Sequence, residues 1–100
     1  MSNPELVSSI FKNKAKQWEG TGSVQRYVTD LGVEGVAKEL ELDPNFKVVC
    51  ELLRERGEFG LRVIIEQSII PYVSIGLGVP LSGLLDFLLE ASELACSERS

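Results

Sequence analysis

Residues 67–85, QSIIPYVSIGLGVPLSGLL, run nineteen positions without a charged side chain, in a chain whose charged fraction is 25%. A protein of 100 residues must bury such a stretch, share it with a partner, or hold something apolar against it. A membrane span is the first reading to test. It needs roughly twenty predominantly apolar residues in unbroken helix. Here Pro71, Gly76, Gly78, Pro80 and Gly83 interrupt the run, and Ser68, Tyr72, Ser74 and Ser82 dilute it. Backbone broken that often leaves polar groups unpaired in lipid, so the sequence argues against a transmembrane helix.

The length fits a single domain, 1–100, and charge divides it unevenly. Residues 1–60 hold ten acids and eight bases, whereas 61–100 hold five acids and only Arg62 and Arg99. The first part reads as water-facing and the second as core-like. A net charge of −5 and a pI near 4.7 repel a phosphate backbone. Cys50 and Cys96 are too few for a disulfide framework, and both sit in apolar helical patterns. They read as free buried thiols in a reducing cytoplasm. The opening residues, MSNPELVSS, carry neither a basic region nor an apolar run of the kind a secretory signal needs.

Periodicity points to an all-α fold: a compact bundle of five or six short-to-medium helices. Asn3-Pro4 is a helix start, with Asn as cap and Pro at the first helical position. Leu6, Val7, Ile10, Phe11, Ala15 and Trp18 then recur at helical spacing over about 4–19. Ser23 is placed to cap the next segment, which Gly32 and Gly35 divide into helices 24–31 and 34–41. Asp43-Pro44 repeats the start signal for a helix 44–56, with Phe46, Val49, Cys50 and Leu53 as its stripe and Gly57 as its terminator. Residues 61–70 mix helical spacing with strand-favouring side chains. No second segment offers a strand to pair with, which favours helix. Gly76–Pro80 reads as a loop, and 81–96 as the last helix.

That last helix is apolar over most of its circumference, with Asp86, Glu90 and Glu93 as a narrow wet edge. Such a helix is either central or shared with another chain. Transferring Leu84, Phe87, Leu88 and Leu94 from water to an interface would favour association by roughly 6–12 kcal/mol before association costs. The expectation is therefore a homodimer through Leu81, Leu84, Leu85, Phe87, Leu88 and Leu94, with the monomer's own core as the competing destination. An apolar ligand near Gly76–Pro80 is the weaker third reading, because no polar anchor accompanies it.

Catalytic chemistry finds little to work with. The chain has no histidine, which removes the usual general base and the commonest metal ligand. Cys96 lies among acids that would disfavour a thiolate, and Cys50 reads as core. No zinc or calcium ligand pattern and no phosphate-binding glycine loop is present, and no cofactor is implied. The pairs Glu39/Asp43 and Glu51/Glu55 read as solvated carboxylates. Lys12, Lys14 and Lys16 make a small basic face near Trp18, too slight for a membrane-surface helix.

The segment Val36–Arg54 resembles a helix-turn-helix: Ala37 permits close approach, Leu40 and Leu42 fill the corner, and 44–56 is the reading helix. In that reading Asn45, Lys47 and Arg54 face bases or phosphates. Three departures count against it. Glu41 stands where the turn usually has Gly, Lys47 stands where an apolar anchor is usual, and Glu51 and Glu55 lie on or near the face that would meet DNA. The sequence thus favours a cytoplasmic, non-enzymatic helical adaptor or regulator that self-associates and offers an acidic surface to a protein partner. A DNA-binding regulator is the alternative.

Overall fold

A computed structural model describes residues 3–73 and 80–99. Its elements are all helical: α1 (Pro4–Glu19), α2 (Val24–Glu41), α3 (Lys47–Ile69), a 3-10 turn (Ile70–Tyr72) and α4 (Leu81–Arg99). Four helices stand where five or six were expected, because two anticipated boundaries are bends inside longer elements. Gly32 (φ 77°, ψ 168°) interrupts α2, and Gly57 (φ 76°, ψ −177°) interrupts α3. That region of backbone space is essentially open only to glycine. A Cβ at either position would meet nothing within 4 Å, so conformation, not crowding, requires glycine there. The ambiguous stretch 61–70 is helical as far as Ile69. The expected loop at Gly76–Pro80 falls mostly on 74–79, outside the described residues.

Local capping chemistry sets the helix starts. The Asn3 side chain accepts a hydrogen bond from the Leu6 N–H at 3.1 Å, with Pro4 at the first helical position. The Ser23 hydroxyl accepts from the Arg26 N–H at 3.3 Å. The third start differs from expectation: α3 begins at Lys47, not at Pro44. Asp43 instead accepts from the Asn45 N–H through Oδ1 at 2.8 Å. Backbone bonds then close three-residue steps from Phe46 to Asp43, Val48 to Asn45 and Val49 to Phe46. An Asp side chain that captures its own local N–H favours a turn over a helix.

The helices pack in the cyclic order α1, α3, α4, α2, with α2 closing more lightly on α1. α1 and α4 occupy one diagonal, α2 and α3 the other. The core between them contains Phe11, Trp18, Leu40, Phe46, Leu52, Leu61, Ile65, Ile69 and the inner face of α4, all essentially sealed from solvent. Two of its buried polar side chains, Ser68 and Ser92, are satisfied within the bundle. Ser68 donates to the Ile64 carbonyl at 2.6 Å and shares a 2.7 Å bond with Ser8 on α1, and Ser92 donates to the Leu88 carbonyl at 2.8 Å.

One carboxylate ties α1 to both halves of α2. Glu39 accepts the Trp18 indole N–H at 2.9 Å and the Tyr27 hydroxyl at 2.9 Å, across the bend at Gly32. The two rings lie 6.1 Å apart. The hydrogen bond to Glu39, some burial and the negative charge of Glu39 together push the Tyr27 phenol above its ordinary value. Glu39 had read as a solvated carboxylate. Its partners lie 21 and 12 residues away, beyond any helical spacing that a sequence pattern reveals. Replacing Glu39 with Ala is expected to cost about 2–3 kcal/mol, since two part-buried donors lose a charged acceptor. Urea unfolding followed by fluorescence of the single tryptophan checks this, because Trp18 reports directly on the lost contact.

Candidate functional site

The six α4 residues named for self-association divide into two groups. Leu84, Leu85 and Leu88 are at most 2% exposed within the single chain. They belong to the chain's own core, which corrects their assignment to a surface. Leu81, Phe87 and Leu94 are half-buried at the margin of that core. The physical reason is the seating of α4 between α2 and α3, both of which pack against it. Solvent reaches a stripe of Ser82, Asp86, Glu90 and Ser97. Arg62 on α3 guards this edge, forming an ion pair with Asp86 and donating to the Ser82 carbonyl at 3.3 Å.

Asn45, Lys47 and Arg54 are all exposed, in the turn and on the first half of α3. The setting differs from a helix-turn-helix in two ways. α2 packs on α4 and α3 on α1, with no substantial contact between α2 and α3 themselves. Lys47 and Arg54 also share their helix face with Glu51 and Glu55, so that face carries no net positive charge. Ala37 and Leu40 are buried as expected, but Leu42 is 79% exposed and Phe46 is buried in the corner instead. Two residues along a helix is a 200° rotation, so a buried Leu40 turns Leu42 to solvent.

The outer face of α3 carries a feature the sequence reading passed over. Phe59 is 78% exposed, Ile70 49% and Val63 39%. At 100° per residue these three fall within about 40° of one another, in a row about 16 Å long. The inner stripe of the same helix, Leu61, Ile64, Ile65 and Ile69, lies on the opposite side. The signal was present in the sequence: spacings of four and seven set Phe59, Val63 and Ile70 on a second apolar face, masked by the stronger inner one. Scattered exposed apolar residues need no explanation, but an aligned row does.

The cysteines are paired, which corrects the free-thiol reading and removes its argument for a reducing compartment. Cys50 on α3 and Cys96 on α4 form a disulfide with their Cα atoms 5.5 Å apart, well within the usual range. Each thiol lies at the edge of its apolar stripe, a placement that helical pattern alone cannot match across 46 residues. A cleft of about 400 Å³ opens over the bond, lined by Cys50, Leu53, Arg54, Glu93, Cys96 and Ser97. Beside it Glu93 shares a hydrogen bond with Glu58. Burial first, then that bond and the charges of Glu58 and Glu90, push the Glu93 carboxyl above its ordinary range. Among the described residues no three ligating side chains gather to hold a metal ion, and no helix is long and apolar enough to cross a membrane.

The chain matches no known family model, no curated protein and no solved structure.

Two measurements test this region. Closing a loop of 46 residues stabilises the folded state by about 4 kcal/mol on a chain-entropy argument. The Cys50→Ser/Cys96→Ser double variant is expected to lose about 3–4 kcal/mol in urea unfolding, and wild type treated with reductant should match it. Glu93 supplies a pH dependence of definite sign. Its folded value lies above 4.5, so the stability it contributes is complete below that pH and is lost as pH rises through the raised value. Glu93→Gln, which stays neutral, should therefore gain on wild type between pH 4 and pH 7 when unfolding midpoints are compared.

Proposed function

We propose that this chain is a non-catalytic helical interaction module, and that it self-associates through the outer face of α3. The observation that carries the reading is the row of Phe59 and Val63 on α3 with Ile70 directly past its end, exposed together where the opposite face of the helix is already buried. A second copy suits this row. An antiparallel neighbour related by a two-fold axis near its middle sets Phe59 of one copy opposite Ile70 of the other. It also sets Arg62 of one copy near Glu66 of the other, twice by symmetry, with Arg62 at the same time paired to Asp86 of its own chain. The row is short, which places the contact among weak, reversible interfaces.

The flank of α4 at Phe87 and Leu94 is the competing surface, since both are half-buried. The nucleic-acid reading through Asn45, Lys47 and Arg54 has less support, given Glu51 and Glu55 on the same face and a net charge of −5.

Light scattering across concentration separates these readings. Wild type is expected to dimerise reversibly in the micromolar to millimolar range, and Phe59→Glu to remain monomeric with an unchanged fold. Leu88→Glu serves as a control that should unfold the chain, because Leu88 is core. A wild type that stays monomeric at millimolar concentration overturns self-association. Dissociation by Phe87→Glu but not by Phe59→Glu moves the interface to α4.

A further inference from the structure

We propose that the Cys50–Cys96 bond is a thiol–disulfide exchange site for an external dithiol, with the Cys96 sulfur attacked and the Cys50 sulfur leaving. Three observations place the chemistry there. Both cysteines are only half-buried and line an open cleft of about 400 Å³, so a small reductant reaches the sulfurs without unfolding the chain. The rest of the lining is polar or charged except for Leu53. The bond also joins two elements that otherwise meet side by side: the last turns of α4 and the half of α3 that precedes the bend at Gly57.

Charge makes the two sulfurs unequal. The charges near Cys50 on α3 are Lys47 and Arg54, three residues before it and four after it, with Glu51 and Glu55 balancing them on the outer side of the helix. Arg54 lines the cleft itself. Glu51, next in sequence, lies about 100° around the helix. Cys96 has Glu93 one turn before it in the same cleft. Burial first, then Glu58 and Glu90, raise the Glu93 carboxyl, so three acidic side chains gather at this end of the cleft. A nascent thiolate is therefore favoured at Cys50 and disfavoured at Cys96. Exchange expels the better-stabilised thiolate, which directs attack to the Cys96 sulfur.

The balance is that of a two-electron exchange. A thiolate of the dithiol attacks Cys96 Sγ, a mixed disulfide forms, and the Cys50–Cys96 bond breaks with its electron pair on Cys50 Sγ. The second thiol, deprotonated, attacks the reductant's own sulfur in the mixed disulfide and releases Cys96 as a thiolate. Both protein sulfurs are then free to take up protons, and the dithiol is oxidised to its disulfide. The covalent tie between the end of α4 and the first half of α3 is thereby removed.

Reduction of the wild-type chain by dithiothreitol at pH 7 is the test, with urea varied below the unfolding transition. Reduction is expected without urea, at a rate nearly independent of it. A rate that tracks global unfolding instead shows that the sulfurs are reached only in the unfolded chain, and overturns the proposal. Arg54→Gln, at an exposed position, should slow native reduction about fivefold; an unchanged rate removes the role given to Arg54. Glutathione, a monothiol, followed by acid quenching and peptide mapping, locates the mixed disulfide. Modification at Cys96 is expected. Modification mainly at Cys50 reverses the assignment and overturns it.

Discussion

The enclosure of α4 between α2 and α3 is the constraint on which the rest of the molecule depends. A helix apolar over most of its circumference cannot rest against a single neighbour without leaving a greasy flank in water. Here two long helices flank it, and among the described residues its exposed side chains are Ser82, Asp86, Glu90 and Ser97, with Leu81, Phe87, Leu94 and Cys96 half-buried. With Leu84, Leu85 and Leu88 sealed, each side chain contributes about 1.5–3 kcal/mol of transfer free energy to the monomer. The material that suggested an obligatory partner is largely consumed inside one chain.

Polar and covalent ties then fix the bundle at its margins. Glu39 joins α1 to both halves of α2 through two donors on aromatic side chains. Arg62 ties α3 to the first turns of α4, and the disulfide ties α3 to the last ones. The α3–α4 seam is thus held at both ends, on either side of the bend at Gly57. Such ties add less than the apolar core in total, but they act where helix ends would otherwise fray.

What remains outside the core defines the functional questions. An apolar row on α3 faces water with no segment of the described chain across it, and a cleft of mixed charge overlies the disulfide. The face bearing Lys47 and Arg54 is balanced by Glu51 and Glu55. The proposed self-associating surface and the proposed exchange site are separate features, one on the outer face of α3 and the other where α3 meets α4.

The chain's own pattern determined the helical class, the caps at Asn3 and Ser23, and the breaks at Gly32 and Gly57. All of these arise from interactions within a few residues along the backbone, so their signal is local. The inner stripe of α3 was legible for the same reason, since 3.6-residue periodicity marks whichever face is most apolar. Only tertiary structure decided that Leu88 faces inward, that Glu39 serves Trp18 and Tyr27, that Cys50 meets Cys96, and that Phe59, Val63 and Ile70 are left outside. Those outcomes depend on which neighbours arrive from 12, 21 or 46 residues away, and local spacing carries no record of such arrivals.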